Sequence, residues 1–159
     1  MAQTVDARDL DSLMDSWDKL LKQFPAKKRE MLERLSPKML QAVRAEIGGE
    51  GKVAGWQAPH MGSKGGYVAV RAKADTYQAT KSGRRYAVGY VTNAIEGGHR
   101  HGGRRGSTKP GYRYRPRYQT PAVPGRWFYD QVRPELPDMA ETEIQQLLDY
   151  IADGLEGQL

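Results

Sequence analysis

Three side chains that commonly bind metal ions lie within one short stretch: Glu96, His99 and His101. A carboxylate and two imidazoles close in sequence can hold a divalent metal, as in a metal-dependent nuclease. The two histidines belong to a glycine-rich segment that offers no rigid scaffold, and neighbouring arginines disfavour a bound cation. We therefore expect loop histidines exposed to solvent and no metal site, and a metal-dependent nuclease stays the weakest alternative.

Other signatures of catalysis or cofactor binding are missing from the sequence. The stretches GGEGK and GSKGG lack the Gly-x-x-x-x-Gly-Lys-Ser/Thr spacing that wraps a triphosphate, and no set of serine, histidine and acid suggests nucleophilic catalysis. Cysteine is absent, which excludes disulfides and thiol nucleophiles and suits a reducing cytoplasm. We expect no enzymatic activity and no cofactor.

The richest segment is a basic arm, residues 97–122. Residues 97–129 hold eight Lys/Arg and no Asp/Glu. In YRYRPRY, a period of two places tyrosines on one side of an extended strand and arginines on the other. The candidates for contact with nucleic acid or a neighbouring subunit are Arg100, Arg104, Arg105, Arg113, Arg115 and Arg117. The candidate interface anchors are Tyr112, Tyr114, Tyr118, Arg126, Trp127 and Phe128.

Two kinds of partner fit this arm, and they are compatible. Its arginines can bind a phosphate backbone without reading sequence, or they can meet acidic side chains such as those of a neighbour's C-terminal helix. Residues 51–129 hold fifteen Lys/Arg against two Asp/Glu, a net +13, whereas residues 130–159 hold one against eight, a net −7. Such a distribution favours both head-to-tail self-association and phosphate binding. A sequence-independent nucleic-acid-binding protein is therefore the main alternative function; no helix-turn-helix or RNA-recognition motif is visible.

The elements that must position the arm begin with an N-terminal helical region, residues 6–48. Apolar residues recur at helical spacing from Leu10 to Phe24, Trp17 among them, and we expect them in the core. Pro25 is expected to end this helix, and Ser36-Pro37 fits the start of another. The region is therefore predicted to be a helical hairpin or a broken pair of helices.

A sheet and a short helix are predicted over residues 51–96. The alternation in GYVAVRAKA indicates a half-buried strand at residues 66–74, with VAGWQA as a possible hairpin partner and HMGSKGG as the turn. RRYAVGYVTNAIEGG fits a helix, with a strand nearly as favoured.

An anchor segment and an acidic C-terminal helix follow over residues 123–159. Pro137-Asp138 and Glu141 suggest an N-cap for a helix near 138–154. Ile144, Leu147, Leu148 and Ile151 would form its buried stripe, and an acidic face bearing Glu141, Glu143 and Asp149 would meet a basic neighbour.

We thus predict an α+β fold in one domain, residues 1–159, with N-terminal helices, a small antiparallel β-sheet with a long extended arm, and a C-terminal helix. The length of 159 residues suits one modest core. No run of apolar residues approaches a membrane span and the N-terminus has no signal-peptide pattern, so we expect a soluble protein with no membrane contact.

The order of segments resembles the small neck or tail-completion proteins of tailed bacteriophages, also labelled minor tail or virion-morphogenesis proteins. In that family a Tyr-Ala pair leads into an acidic-aromatic-Gly-Thr turn, a variable loop follows, and a Pro-Ala-Arg-Pro-Phe-like segment opens into a terminal helix. Here Tyr86-Ala87, Ile95-Glu96-Gly97 and the segment 123–128, VPGRWF, occupy those places. The likeness covers roughly residues 66–155; Gly97 stands where the family has an aromatic residue, and His99 replaces the threonine.

The resemblance implies a virion structural protein, made in the host cytoplasm, that forms a ring at the head–tail junction around the DNA channel. The implied partners are further copies of itself, with sixfold symmetry preferred over twelvefold, and other phage neck, connector and tail proteins. Non-specific contact with genomic DNA is also implied. Arg126, Trp127 and Phe128 would lock the arm onto the body.

Overall fold

A computed structural model describes residues 7–49, 51–98 and 122–159 of the chain. The helices are α1 (Ala7–Ile47), α2 (Lys52–Trp56), α3 (Val88–Glu96), α4 (Phe128–Val132) and α5 (Leu136–Leu155). The strands are β1 (Gln57–Met61), β2 (Val68–Ala72), β3 (Tyr77–Ala79) and β4 (Arg85–Ala87). Short 3-10 turns occupy Ser63–Gly65 and Arg133–Glu135. The α+β class predicted from the sequence is confirmed.

The N-terminal region is one helix of 41 residues, so the predicted hairpin or broken pair was wrong. Pro25 and Pro37 both lie inside α1 at exposed positions. A proline removes one intrahelical hydrogen bond, and at an exposed position water can satisfy the carbonyl that is freed. Packing of α1 against α5 and β1–β2 outweighs the local cost of the two prolines.

The strands form two separate antiparallel pairs instead of the single sheet that we expected. In the first, β1 pairs with β2 in the register Gln57↔Ala72 to Met61↔Val68. The strand in GYVAVRAKA is confirmed, but most of VAGWQA is helix α2, and its hairpin partner begins at Gln57. Val53 and Ala54 pack on the core from this helix, which explains the difference.

The pairing of β3 with β4 was not predicted, although a strand had been weighed for the segment that contains β4; three-residue strands carry too little alternation to be recognised. Its register runs from Tyr77↔Ala87 to Ala79↔Arg85. Helix α3 follows β4 directly, so the predicted helix of this segment is confirmed from Val88 onward.

The buried core lies where the C-terminal end of α1 meets α4. Val43, Ile47, Phe128 and Val132 form its centre. From there the chain continues through the 3-10 turn at Arg133–Glu135 into α5, which runs antiparallel to α1. The C-terminal helix is confirmed, but the predicted cap at Asp138 was wrong, since helical backbone already precedes Leu136 and no side chain caps it.

Candidate functional site

The two segments that flank the basic arm meet at one place on the body. The backbone N–H of Arg126 donates to the carbonyl of Ile95 (2.9 Å), and that of Trp127 donates to the carbonyl of Glu96 (3.1 Å). The end of α3 and the start of the anchor segment are therefore joined by main-chain hydrogen bonds.

Two glycines make this close approach possible. A Cβ at Gly125 would overlap the carbonyl oxygen of Glu96 and lie 2.7 Å from the carbonyl carbon of Gly97. A Cβ at Gly98, whose φ is +72°, would lie 2.6 Å from the nitrogen of Gly125. Only residues without a side chain fit this crossing.

Glu96 caps the helix that begins just after the crossing. Its Oε2 accepts the N–H of Phe128 (2.8 Å) and its Oε1 accepts that of Tyr129 (3.1 Å). The first N–H groups of any helix lack intrahelical acceptors, and a carboxylate there also meets the positive end of the helix dipole. The residue considered above as a metal ligand thus has both oxygens engaged in a structural role.

The three residues expected to lock the arm onto the body behave differently. Arg126 donates from Nη2 to the carbonyl of Ile47 at the end of α1 (2.6 Å), which satisfies a helix-terminal acceptor. Phe128 is 1% exposed within the core, whereas Trp127 is 51% exposed. Trp127 has left-handed backbone (φ 53°), and its side chain lies largely outside the body. Arg126 and Phe128 contact the body, whereas about half of the Trp127 side chain is exposed to solvent.

A buried polar network next to Phe128 gave no recognisable signal in the sequence. The hydroxyl of Tyr129 donates to Oε1 of Gln57, whose Nε2 donates to the carbonyl of Val53 (3.0 Å). Gln57 is 0% exposed, and Nη2 of Arg44 donates to its backbone carbonyl (3.1 Å). Burial, reinforced by the nearby Glu96 carboxylate, raises the pKa of Tyr129 to about 12. The phenol therefore acts as a hydrogen-bond donor that ties α4 to the start of β1.

The arm side chains that were expected to bind DNA or neighbours lie outside the described residues. These are Arg100, Arg104, Arg105, Arg113, Arg115 and Arg117 together with Tyr112, Tyr114 and Tyr118. His99 and His101 also lie outside the described part. Among residues 7–49, 51–98 and 122–159, no three His, Cys, Asp or Glu side chains are grouped so that they could hold a metal ion.

Glu143 does not lie on an outer acidic face, contrary to expectation. It is buried, its Oε2 accepts from Nε of Arg34 (2.7 Å), and its Oε1 accepts from Nζ of Lys38 (2.9 Å). These two hydrogen bonds lower the pKa of Glu143 against the opposing effect of burial. Glu141 and Asp149 are exposed, as expected.

The apolar side chains of α1 and α5 are only partly used within the chain. Small or polar residues make the close helix contact instead: the hydroxyl of Ser16 donates to the carbonyl of Gly154 (3.0 Å), and a Cβ at Gly154 would press on Leu20. Trp17, Ile144 and Leu148, all expected in the core, are exposed. The exposed apolar side chains of the two helices thus lie to one flank of the contact at Ser16 and Gly154.

We call this flank the apolar face. Trp17 is 45% exposed and donates from Nε1 to the carbonyl of Leu155 (3.3 Å), which is itself 56% exposed, so the two helices contribute to one surface. The face comprises Leu10, Met14, Trp17 and Leu21 of α1 with Ile144, Leu148 and Leu155 of α5.

Within the described ranges, no helix is long and apolar enough to span a membrane. No protein-family model, no curated protein and no solved structure matches this chain.

Proposed function

We propose that this protein is a structural subunit of the tailed-phage neck, one copy in a ring that joins head and tail around the DNA channel. The observation that carries the proposal is the apolar face, seven large apolar side chains exposed on one flank of the α1–α5 pair. Large apolar side chains exposed along one flank are typical of an interaction site. The subunit has a structural role and breaks no bond.

Burial of this face in an assembly would supply substantial free energy. Covering a fully exposed leucine, isoleucine, methionine or aromatic side chain is worth about 1.5–3 kcal/mol. Part of each side chain is already covered by the helices, so the gain per residue is smaller. Seven such residues nevertheless provide the hydrophobic centre that a stable interface needs.

The charge distribution supports contact between unlike surfaces of neighbouring copies, as a ring requires. Exposed acids on α5, Glu141 and Asp149 among them, face outward from a chain whose middle segment is strongly basic. Contact between different surfaces of successive copies is heterologous, and heterologous contacts form a ring when the rotation from one copy to the next closes. We prefer a ring of sixfold symmetry to one of twelvefold symmetry, because sixfold symmetry matches a tail tube.

The arm base and the apolar face serve different contacts. Trp17 and Ile47 are 30 residues apart in α1, which corresponds to about 45 Å along a helix. The arm is anchored at the Ile47 end through Arg126. A subunit can therefore contact one neighbour through the apolar face and reach DNA or another neighbour with the arm.

The position of the two resemblance segments supports the neck assignment. Ile95-Glu96-Gly97 and Arg126-Trp127-Phe128 are separated by the arm in sequence, yet they are hydrogen-bonded to each other at its base. The segments that resemble neck proteins are thus the ones that fix both ends of the arm.

Electron microscopy and light scattering of the purified protein, alone and mixed with portal and tail-tube proteins of the same phage, test the proposal. We expect rings or ring-bearing complexes for the native chain, and their loss for Trp17→Glu with Leu148→Glu. Tyr90→Glu with Tyr86→Glu is the matched control, since both tyrosines are exposed and belong to neither α1 nor α5. A chain that stays monomeric with every virion component would overturn the proposal.

A further inference from the structure

A second basic surface lies within the described residues, away from the arm. The β3–β4 hairpin, residues 77–87, carries Lys81, Arg84 and Arg85, all exposed. No Asp or Glu occurs between residues 76 and 95. Across the described part of the chain, none of these three cations forms a salt bridge with a carboxylate. We call residues 77–87 the basic hairpin.

The tip of the basic hairpin has a fixed backbone. The N–H of Thr80 donates to the carbonyl of Arg84 (2.8 Å), and the N–H of Arg84 donates back to Oγ1 of Thr80 (3.1 Å). Gly83, with φ +78°, donates to the carbonyl of Thr80 (3.0 Å) and closes the turn. The turn therefore presents the cationic side chains of Lys81 and Arg84 from a defined scaffold.

Arg85 is held in place by an aromatic ring. Its guanidinium lies 4.8 Å from the ring centroid of Tyr77. In the register Ala79↔Arg85 and Tyr77↔Ala87, both side chains belong to the same face of the hairpin. A stacked guanidinium keeps its N–H donors free for a phosphate, and less conformational entropy is lost when it binds.

We propose that the basic hairpin binds the phosphodiester backbone of duplex nucleic acid without reading its sequence. Its composition fits a polyanion: the only aliphatic side chains in residues 77–87 are alanines, and three cations, a serine and a threonine stand there without any acidic residue. Cations, hydroxyls and stacked tyrosine are the groups that contact sugar and phosphate. This site does not depend on the neck assignment, and its failure would leave that assignment standing.

Binding of the full chain to two unrelated 30-base-pair DNA duplexes, followed by fluorescence anisotropy over a salt series, tests the site. The variant is Lys81→Ala with Arg84→Ala and Arg85→Ala. Loss of three phosphate contacts should make the slope of log K against log salt less steep by about 2.7 for both duplexes and weaken binding at low salt by about tenfold or more. The effect should persist when Arg113, Arg115 and Arg117 are also alanine, which separates the hairpin from the arm.

The matched control removes the same charge from exposed positions on α1: Lys22→Ala with Lys27→Ala and Arg29→Ala. It should change the slope by less than about 1. Arg84→Lys with Arg85→Lys keeps the charge and should keep the slope. If the alanine variant does not fold, Lys81→Gln with Arg84→Gln and Arg85→Gln removes the same three charges and should show the same loss of slope. An unchanged slope in the alanine variant overturns the proposal. Two further results would also overturn it. One is that poly-glutamate competes with the labelled duplex as well as unlabelled DNA does, and the other is that the alanine variant loses self-association but still binds DNA. Either result would assign the hairpin to an acidic protein surface.

Discussion

Glu96 caps a helix that begins 32 residues later in the chain, through a hydrogen bond of 2.8 Å from the N–H of Phe128. The cap therefore depends on closure of the arm base, because the carboxylate and the amide come from opposite sides of the arm. Main-chain hydrogen bonds from Arg126 and Trp127 hold the same junction. The stability of α4 and the geometry of the arm base are consequently linked.

Replacing Glu96 with alanine should lower the free energy of unfolding by about 1–2 kcal/mol, because two N–H groups of α4 lose their acceptor. Urea unfolding followed by circular dichroism measures the change. Asp138→Ala, an exposed acid in the first turn of α5, is the control and should lie within about 0.5 kcal/mol of the native protein. Equal effects at the two positions would argue against the capping role.

Alanine substitutions at the neighbouring aromatics Phe128 and Trp127 should differ sharply in their effect on the free energy of unfolding. Phe128→Ala empties a core position that is 1% exposed, and should cost about 3–5 kcal/mol. Trp127→Ala, at an exposed side chain, should cost about 0.5 kcal/mol or less in the isolated chain. Thermal unfolding compares them, and similar losses would mean that Trp127 is buried in solution.

Gly125→Ala and Gly89→Ala should shift stability in opposite directions. A methyl group at Gly125 would overlap the Glu96 carbonyl and force the arm base apart, with an expected loss of about 1–3 kcal/mol. Gly89 lies in α3 with nothing within 4 Å of an added Cβ, so alanine should stabilise the helix by up to about 1 kcal/mol. Denaturant midpoints measure both, and a neutral Gly125→Ala would contradict the close crossing.

The ion pairs of Glu143 should make stability sensitive to acid. Arg34 and Lys38 lower the pKa of Glu143 in the folded state, so its contribution is present above the unfolded-state pKa and is lost as pH falls through the folded value. Melting temperatures of the native chain should therefore fall more steeply from pH 6 to pH 3 than those of Glu143→Gln. Glu141→Gln, at an exposed acid, should retain the native acid dependence.

Tyr129 should ionise at a higher pH than an ordinary tyrosine side chain. Its folded-state pKa of about 12 exceeds the ordinary value of 10.0, so the stability it contributes is complete below about pH 10 and declines as pH approaches 12. Ultraviolet difference spectra of the native chain and Tyr129→Phe should differ by one phenol that ionises in the upper part of this range. Tyr129→Phe should also cost about 1–3 kcal/mol, because Oε1 of Gln57 loses its donor.

Sequence patterns predicted the presence and type of several helices and strands correctly. The C-terminal helix, the strand at Val68–Ala72 and the helix from Val88 all follow from regular apolar spacing. The prolines of α1 misled the prediction, since tertiary packing and solvent access at Pro25 and Pro37 decide whether a helix continues.

Burial was predicted less well than helical structure. Spacing places Trp17 and Leu148 on apolar faces, but it does not say whether those faces meet within the chain or remain for a partner. The close approach at Ser16 and Gly154 is a property of the assembled pair of helices. Likewise, the cap from Glu96 to Phe128 joins residues too far apart in sequence for any local pattern to reveal it.

The contact between Gly98 and Gly125 has a consequence for how such a protein can diversify. A segment that starts and finishes at a single point of the surface can gain or lose residues without moving any other element. Doubling the length of a flexible loop costs only about 0.6 kcal/mol in closure entropy. One inherited scaffold can therefore carry segments of different lengths through insertion and deletion alone.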